Sequence, residues 1–174
     1  KQILLHAEQQ FPDGTVYHWW HHGTSMGAIT HCSDDLLWLD FITLNYLDET
    51  GDDKILDTKV KFLPDPKTKK ITQGTLYNHC MRAIDKVFTR FSKRGLPLMG
   101  ECDWNDGLSH VGIKWKGESI WLGHFFYGIL TRMAPICEER GDKRRAKLFL
   151  ERAAKLKQAI NKYGWDGEWY LGAT

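Results

Sequence analysis

Four stretches of this chain place an apolar side chain every three or four positions, and that period commits most of the sequence to amphipathic helices. The first runs from Asp34 to Thr50 through Leu37, Phe41, Leu44 and Leu47, with Ser33 as candidate N-cap and Gly51 just past the end. The second, Thr75 to Lys93, carries Leu76, Cys80, Ala83, Ile84, Val87 and Phe91 between a Gly74-Thr75 start signal and a Gly95-Leu96-Pro97 stop. Glu118 to Arg140 is apolar through Trp121, Leu122, Phe125, Phe126, Ile129 and Met133, and Pro135 is expected to kink or distort it near its end. Asp142 to Lys162 repeats the period through Ala146, Phe149, Leu150, Ala153, Leu156 and Ile160. No stretch pairs convincingly as strands, so the expected fold class is all-α, built of helical hairpins.

The connections are of two kinds. Short ones, such as Thr50-Gly51-Asp52-Asp53 and Arg140-Gly141-Asp142, only reverse the chain. Long ones, Phe11 to Ser33 and Leu98 to Gly117, are dense in Trp, His, Asp and Asn, and long loops on a rigid scaffold are where function concentrates. Lys67 to Lys70 lies in a Pro- and Lys-rich stretch read as a solvated loop. The 174 residues, 42% hydrophobic, suffice for one core, and 24 basic against 22 acidic residues give a net charge of +2. Nothing in that balance steers the chain toward nucleic acid or an anionic membrane. Apolar runs fall far short of the roughly 20 residues that span a bilayer. Cys32, Cys80, Cys102 and Cys137 form no Cys-x-x-Cys pair, which reads as four buried, reduced thiols and a cytoplasmic protein.

Aromatic residues make up 13% of the chain, more than a helical core of this size requires. Rings of this kind suit sugar-binding clefts, where they pack on the C–H face of a pyranose while polar neighbours meet its hydroxyls. Asp103-Trp104-Asn105-Asp106-Gly107 reads either as a turn or as a carboxyl beside Trp and other acids, raised toward the pKa of a general acid for glycosidic cleavage. Only one of Asp103 and Asp106 need be that acid. Ser33-Asp34-Asp35 reads as helix capping or as carboxylates that accept hydrogen bonds from hydroxyls, and Glu118 as an acid favoured by a helix dipole. His18, His21, His22 and His31 lack any metal-ligand spacing, so no metal is expected.

Taken in order, seven motifs form one series. They are His6-Ala7-Glu8-Gln9-Gln10-Phe11, Val16-Tyr17-His18-Trp19-Trp20-His21, Ser33-Asp34-Asp35-Leu36-Leu37-Trp38-Leu39, Gly74-Thr75-Leu76-Tyr77-Asn78-His79-Cys80, Gly95-Leu96-Pro97-Leu98, Asp103-Trp104-Asn105-Asp106-Gly107 and Gly117-Glu118-Ser119-Ile120-Trp121-Leu122. The series resembles glycoside hydrolase family 94, the inverting phosphorylases of β-linked glucosides, over nearly the whole chain. The resemblance implies an (α/α)6 barrel whose long loops form a sugar pocket. It further implies that residues 1–174 are about the first half of it, without the second half of the barrel or the family's amino-terminal β-sandwich.

By the same resemblance the substrates are a β-linked disaccharide or oligosaccharide and inorganic phosphate, with no cofactor and no catalytic base. Asp106 matches the family's proton donor, Trp104 and Asp35 match sugar contacts, and Asp34, Asp103 and Glu118 match further motif positions assigned to substrate binding. Met26, Ile29 and His31 stand where many members carry three arginines. A homodimer is one arrangement open to the full-length protein. Two rivals stay open: an inverting hydrolase, which needs a second carboxyl about 6.5–9.5 Å from the acid to activate water, and a carbohydrate-binding fragment without catalysis.

Overall fold

The computed structural model describes every residue except Ser25, Asp106, Leu108 and Ser109. The chain divides into two units, Lys1–Thr89 and Arg90–Thr174. In the first unit the order is α1 (Gln2–Ala7), β1 (Trp19–Trp20), β2 (Gly27–Ala28), α2 (Trp38–Thr50), a 3₁₀ helix (Asp53–Asp57), β3 (Lys59–Lys61), β4 (Gln73–Thr75) and α3 (Leu76–Phe88). The second unit holds α4 (Ile120–Glu139) and α5 (Lys143–Tyr163). The chain is mostly helical, as its periodicity requires. Paired strands correct the expectation that none would form: β1 and β2 are antiparallel with Trp19 opposite Ala28, and β3 and β4 are antiparallel with Val60 opposite Gly74. Strands of two or three residues are too short to show a period, which is why the pattern hid them.

Helix ends show which local signals prevailed. Thr75 caps α3 through a complete capping box with Asn78, and Gly51 closes α2 in the left-handed conformation that its missing side chain permits. Ser33 does not cap α2. The chain turns through Ser33 to Leu37 before the helix begins at Trp38, because Asp34 and Asp35 are engaged elsewhere. Likewise α3 stops at Phe88 and not near Lys93, since Phe91 leaves the helix to bridge Pro97. The helix α4 runs through Pro135 as one α-helix, capped by Ser119. Asp142, read as the first residue of the last helix, caps α5 by accepting the amide of Arg145.

Core positions follow the apolar faces. In the first unit Leu39 and Leu44 of α2 and Leu76, Ile84 and Val87 of α3 are buried, with α1 packed against both helices. In the second, α4 and α5 form an antiparallel hairpin around Phe126, Ile129, Met133, Phe149 and Leu156. Each such side chain contributes about 1.5–3 kcal/mol of transfer free energy. The hairpin closes tightly at Gly123, where an added methyl would sit 3.1 Å from Ile160.

Lys67–Lys70 forms the exposed tip between β3 and β4, held by Asp65, whose carboxylate accepts the amides of Lys67 and Thr68. Cys80 and Cys137 are buried free thiols. Cys32 is held in a disulfide, as is Cys102, which corrects the expectation of four reduced thiols. Disulfide formation depends on how side chains meet in the fold, and spacing along the chain does not reveal that. Among the described residues no helix is long and apolar enough to cross a membrane.

Candidate functional site

In the first unit the loop between α1 and α2 is organised around Asp35. Its Oδ1 lies 2.9 Å from Nδ1 of His18, and its Oδ2 accepts the hydroxyl of Thr30 at 2.9 Å. His18 is fixed in turn by its backbone amide, which donates to Ala28 across the β1–β2 ribbon. The ribbon closes at Gly27, where any Cβ would strike the ring of Tyr17 at 2.7 Å, so the glycine is a packing requirement. Asp34 faces another way: it is buried, and its Oδ2 accepts the indole N–H of Trp38 one helical turn on. The adjacent carboxyls thus have separate tasks, Asp34 holding the start of α2 and Asp35 tying the loop to the ribbon. Trp19 is exposed and meets His21 edge to face, while Trp20 meets His6 in the same geometry.

His18, Cys32 and Asp35 offer ligand atoms within 4.8 Å of one another. The Cys32 sulfur, held in a disulfide, is no thiolate, which leaves His18 and Asp35 as the trio's ordinary ligand groups. What the sequence reading missed here is the role of His18 and Thr30 as partners of Asp35. Seventeen positions separate His18 from Asp35, and only the ribbon brings them together.

In the second unit the Asp-Trp-Asn-Asp loop begins and ends on one short backbone ladder. Met99 donates to Gly117, Ser119 donates to Pro97, and Leu98 bridges Glu118. Asp103 is buried, and its Oδ2 accepts the hydroxyl of Ser119 at 2.7 Å. Trp104 is 58% exposed, its ring tilted against Trp121, which in turn lies against Phe125. Gly107 donates its amide to the Asn105 side chain, so the turn reading of this loop also holds locally. Asp106 lies outside the described residues.

Glu118 precedes the cap of α4 and is buried against Arg94, with the hydroxyl of Thr174 at 3.0 Å from its Oε2. Burial acts to raise its pKa, but hydrogen bonds from Arg94, Ser92 and Thr174 and the charge of Arg94 outweigh it and hold the carboxyl below its ordinary value. Arg94, absent from the sequence-based candidates, also lies over the ring of Tyr163. Nothing in its local pattern marked it out.

The structure therefore joins Asp103 to the residue after Glu118, and places Asp34 and Asp35 side by side with divergent contacts. Of the candidate residues that the structure describes, Trp104 is the one that offers an open face. An exposed indole backed by other rings can pack on a sugar's C–H face, and the buried, hydrogen-bonded carboxyl of Asp103 just before it anchors the ring's own stretch of backbone.

Residues 1–174 match the Glycosyl hydrolase 94 superfamily, catalytic domain. Among curated proteins the chain is 39% identical to the cyclic beta-(1,2)-glucan synthase NdvB of Rhizobium meliloti, over 97% of this chain and 6% of that protein. It is 34% identical to the solabiose phosphorylase of Paenibacillus borealis, over 81% of this chain and 18% of that protein. It is 35% identical to the cellobionic acid phosphorylase of Neurospora crassa, over 79% of this chain and 17% of that protein. The chain spans less than a fifth of the length of any of these three.

Proposed function

The chain belongs to the glycosyl hydrolase 94 superfamily, and on that premise we propose that the longer protein containing it cleaves a β-linked glucoside by inverting phosphorolysis. A phosphate oxygen attacks the anomeric carbon, the bond from that carbon to the glycosidic oxygen breaks, and the departing oxygen takes a proton from Asp106. The products are an α-glycosyl 1-phosphate and the shortened sugar. Phosphate is already a nucleophile at neutral pH, so the reaction needs no general base. Trp104 and Asp35 contact the sugar beside the scissile bond, with Asp34, Asp103 and Glu118 supporting the loops around them. The helices are part of an (α/α)6 barrel.

The observation that carries this reading is the exposed Trp104 ring in an Asp-Trp-Asn-Asp loop whose neighbouring carboxyl is buried and hydrogen-bonded. Phosphorylases among the relatives supply the reaction class. The most extensive of the three similarities is to a protein named for a β-(1,2)-glucan, so β-1,2-linked gluco-oligosaccharides are the first substrates to try.

The test is release of sugar 1-phosphate by the full-length protein from phosphate and a panel of β-linked gluco-disaccharides. Replacing Asp106→Asn should lower that rate by at least about 100-fold, the scale of lost general acid catalysis. A β-glycosyl fluoride, whose leaving group needs no proton, should lose far less. Release of free sugar in place of sugar 1-phosphate would point to the hydrolase instead, and near-normal phosphorolysis by Asp106→Asn would refute the assignment of the acid.

A further inference from the structure

Asp103 and Trp104 are consecutive in the loop, and both are held by the first turn of one helix. Asp103 accepts the hydroxyl of Ser119 at 2.7 Å, and the ring of Trp104 leans on Trp121 with centroids 6.1 Å apart. Ser119 has two tasks at once. As the N-cap of α4 its Oγ accepts the amide of Leu122 at 2.9 Å. Its single hydroxyl proton is then directed to Asp103, because the side toward Leu122 is already taken by a donor. Ser119 is fully buried and Asp103 nearly so, hence water does not compete for this bond. The serine cannot drift, for its backbone amide is bonded to Pro97 and the next amide to Gly172.

We propose that Ser119 is a positioning residue of the sugar site: by donating to Asp103 it locks the loop so that the Trp104 ring is presented over Trp121. The proposal rests on the phosphorylase reading above. It also ties the sugar platform to a helix terminus, so that the ring's orientation is set by the scaffold and not by the loop's own turn chemistry. Capping alone would require only an acceptor at position 119, whereas positioning requires a donor as well.

Substitutions separate the two tasks in the full-length protein. Ser119→Asn and Ser119→Asp are matched in size and both cap helices well, but only the amide can donate to Asp103. Ser119→Thr keeps both functions, and Ser119→Ala removes both. Phosphorolysis by Ser119→Asp and Ser119→Ala should fall about 10- to 100-fold in kcat/KM, as expected when a contact group is displaced by a fraction of a bond length to an ångström. Ser119→Asn should retain at least about tenfold more activity than Ser119→Asp, with Ser119→Thr near the parent where its added methyl is accommodated. Equal rates for the Asn and Asp variants would overturn the proposal and leave the serine a helix cap.

If the parent protein releases no sugar 1-phosphate from any substrate, the phosphorylase reading fails, and a stability cycle decides the tether on its own. The stability difference between Ser119→Asn and Ser119→Asp should then shrink by at least half when Asp103 is replaced by Ala. An unchanged difference overturns the proposal.

Discussion

The two units bury their polar groups in different places. In the first, Asp40 and Thr43 of α2 and His79 of α3 lie within the helical core, with Gln10 reaching in to the backbone carbonyl of His79. In the second, Asp103, Glu118 and Ser119 gather at the N-terminal end of α4, and the hairpin beyond them is apolar. The energetic consequence differs accordingly. At the α4 end each group has a charged or hydrogen-bonded partner: Arg94 for Glu118, the Ser119 hydroxyl for Asp103, the Leu122 amide for Ser119. Such a network fixes a geometry. Asp40 has no hydrogen bond of normal geometry to either carboxyl oxygen, and burial pushes its pKa well above the ordinary value. Burial likewise drives His79 down to about 4. Within the helical core of the first unit burial disfavours the charged forms of Asp40 and His79, whereas the acids at the α4 end, like Asp34 at the start of α2, serve as ties.

The largest expected effect of that difference is on acid stability. His79 binds a proton near 6.5 when unfolded and only near 4 in the fold, so its contribution to stability is complete above pH 6.5 and is lost as the pH falls toward 4. The shift corresponds to about 3 kcal/mol. Glu118 is shifted in the same direction, so its stabilising share is also lost on acidification, but only below the ordinary glutamate range. Amide exchange of α3 in the full-length protein should therefore accelerate between pH 6.5 and 4, before that of α4. Replacing His79→Phe, which keeps a ring stacked on Phe62, should abolish that window. If α3 and α4 lose protection together, the contrast between the units is wrong.

Trp104→Ala sharpens the comparison from the other side. The ring is mostly exposed, so its loss should leave the unfolding midpoint nearly unchanged, while calorimetry should record sugar affinity weakened by about 1–3 kcal/mol. A large loss of stability with unaltered affinity would make Trp104 a core residue. The smallest effect is expected at Asp40. In Asp40→Asn the carboxyl that must be kept protonated is gone, and a gain of about 1 kcal/mol is expected near neutral pH from relief of a poorly satisfied buried group. Because a raised acid contributes stability at low pH and loses it as the pH rises, the gain should grow from pH 4 to pH 8. Denaturant midpoints at the two pH values would measure it, and a variant less stable than the parent at both would remove Asp40 from the argument.

Helices α3 and α5 were legible because their caps are local: Thr75 with Asn78 and Asp142 with Arg145 lie within four residues, and the apolar faces repeat at the helical period. The start of α2 was misread for the same reason in reverse. Ser33 has the chemistry of a cap, yet the two carboxyls after it are drawn to Trp38, His18 and Thr30, and the helix waits until Trp38. The ribbon β1–β2 was invisible because two residues carry no period, although Tyr17-His18-Trp19-Trp20 falls in one of the two long loops dense in Trp and His.

The sequence by itself determined the helical segments, the two long aromatic loops and the order of motifs that marks the family, since each depends on residues within one or two turns of one another. The tertiary structure alone decided which side chains those loops engage. His18 meets Asp35 because a ribbon folds back, Arg94 meets Glu118 because residues 92–98 turn toward the start of α4, and Ser119 meets Asp103 because both ends of a long loop return to one ladder. Hydrogen bonds act over about 3 Å of space and are indifferent to how many residues lie between the partners, so no spacing rule along the chain could have named them.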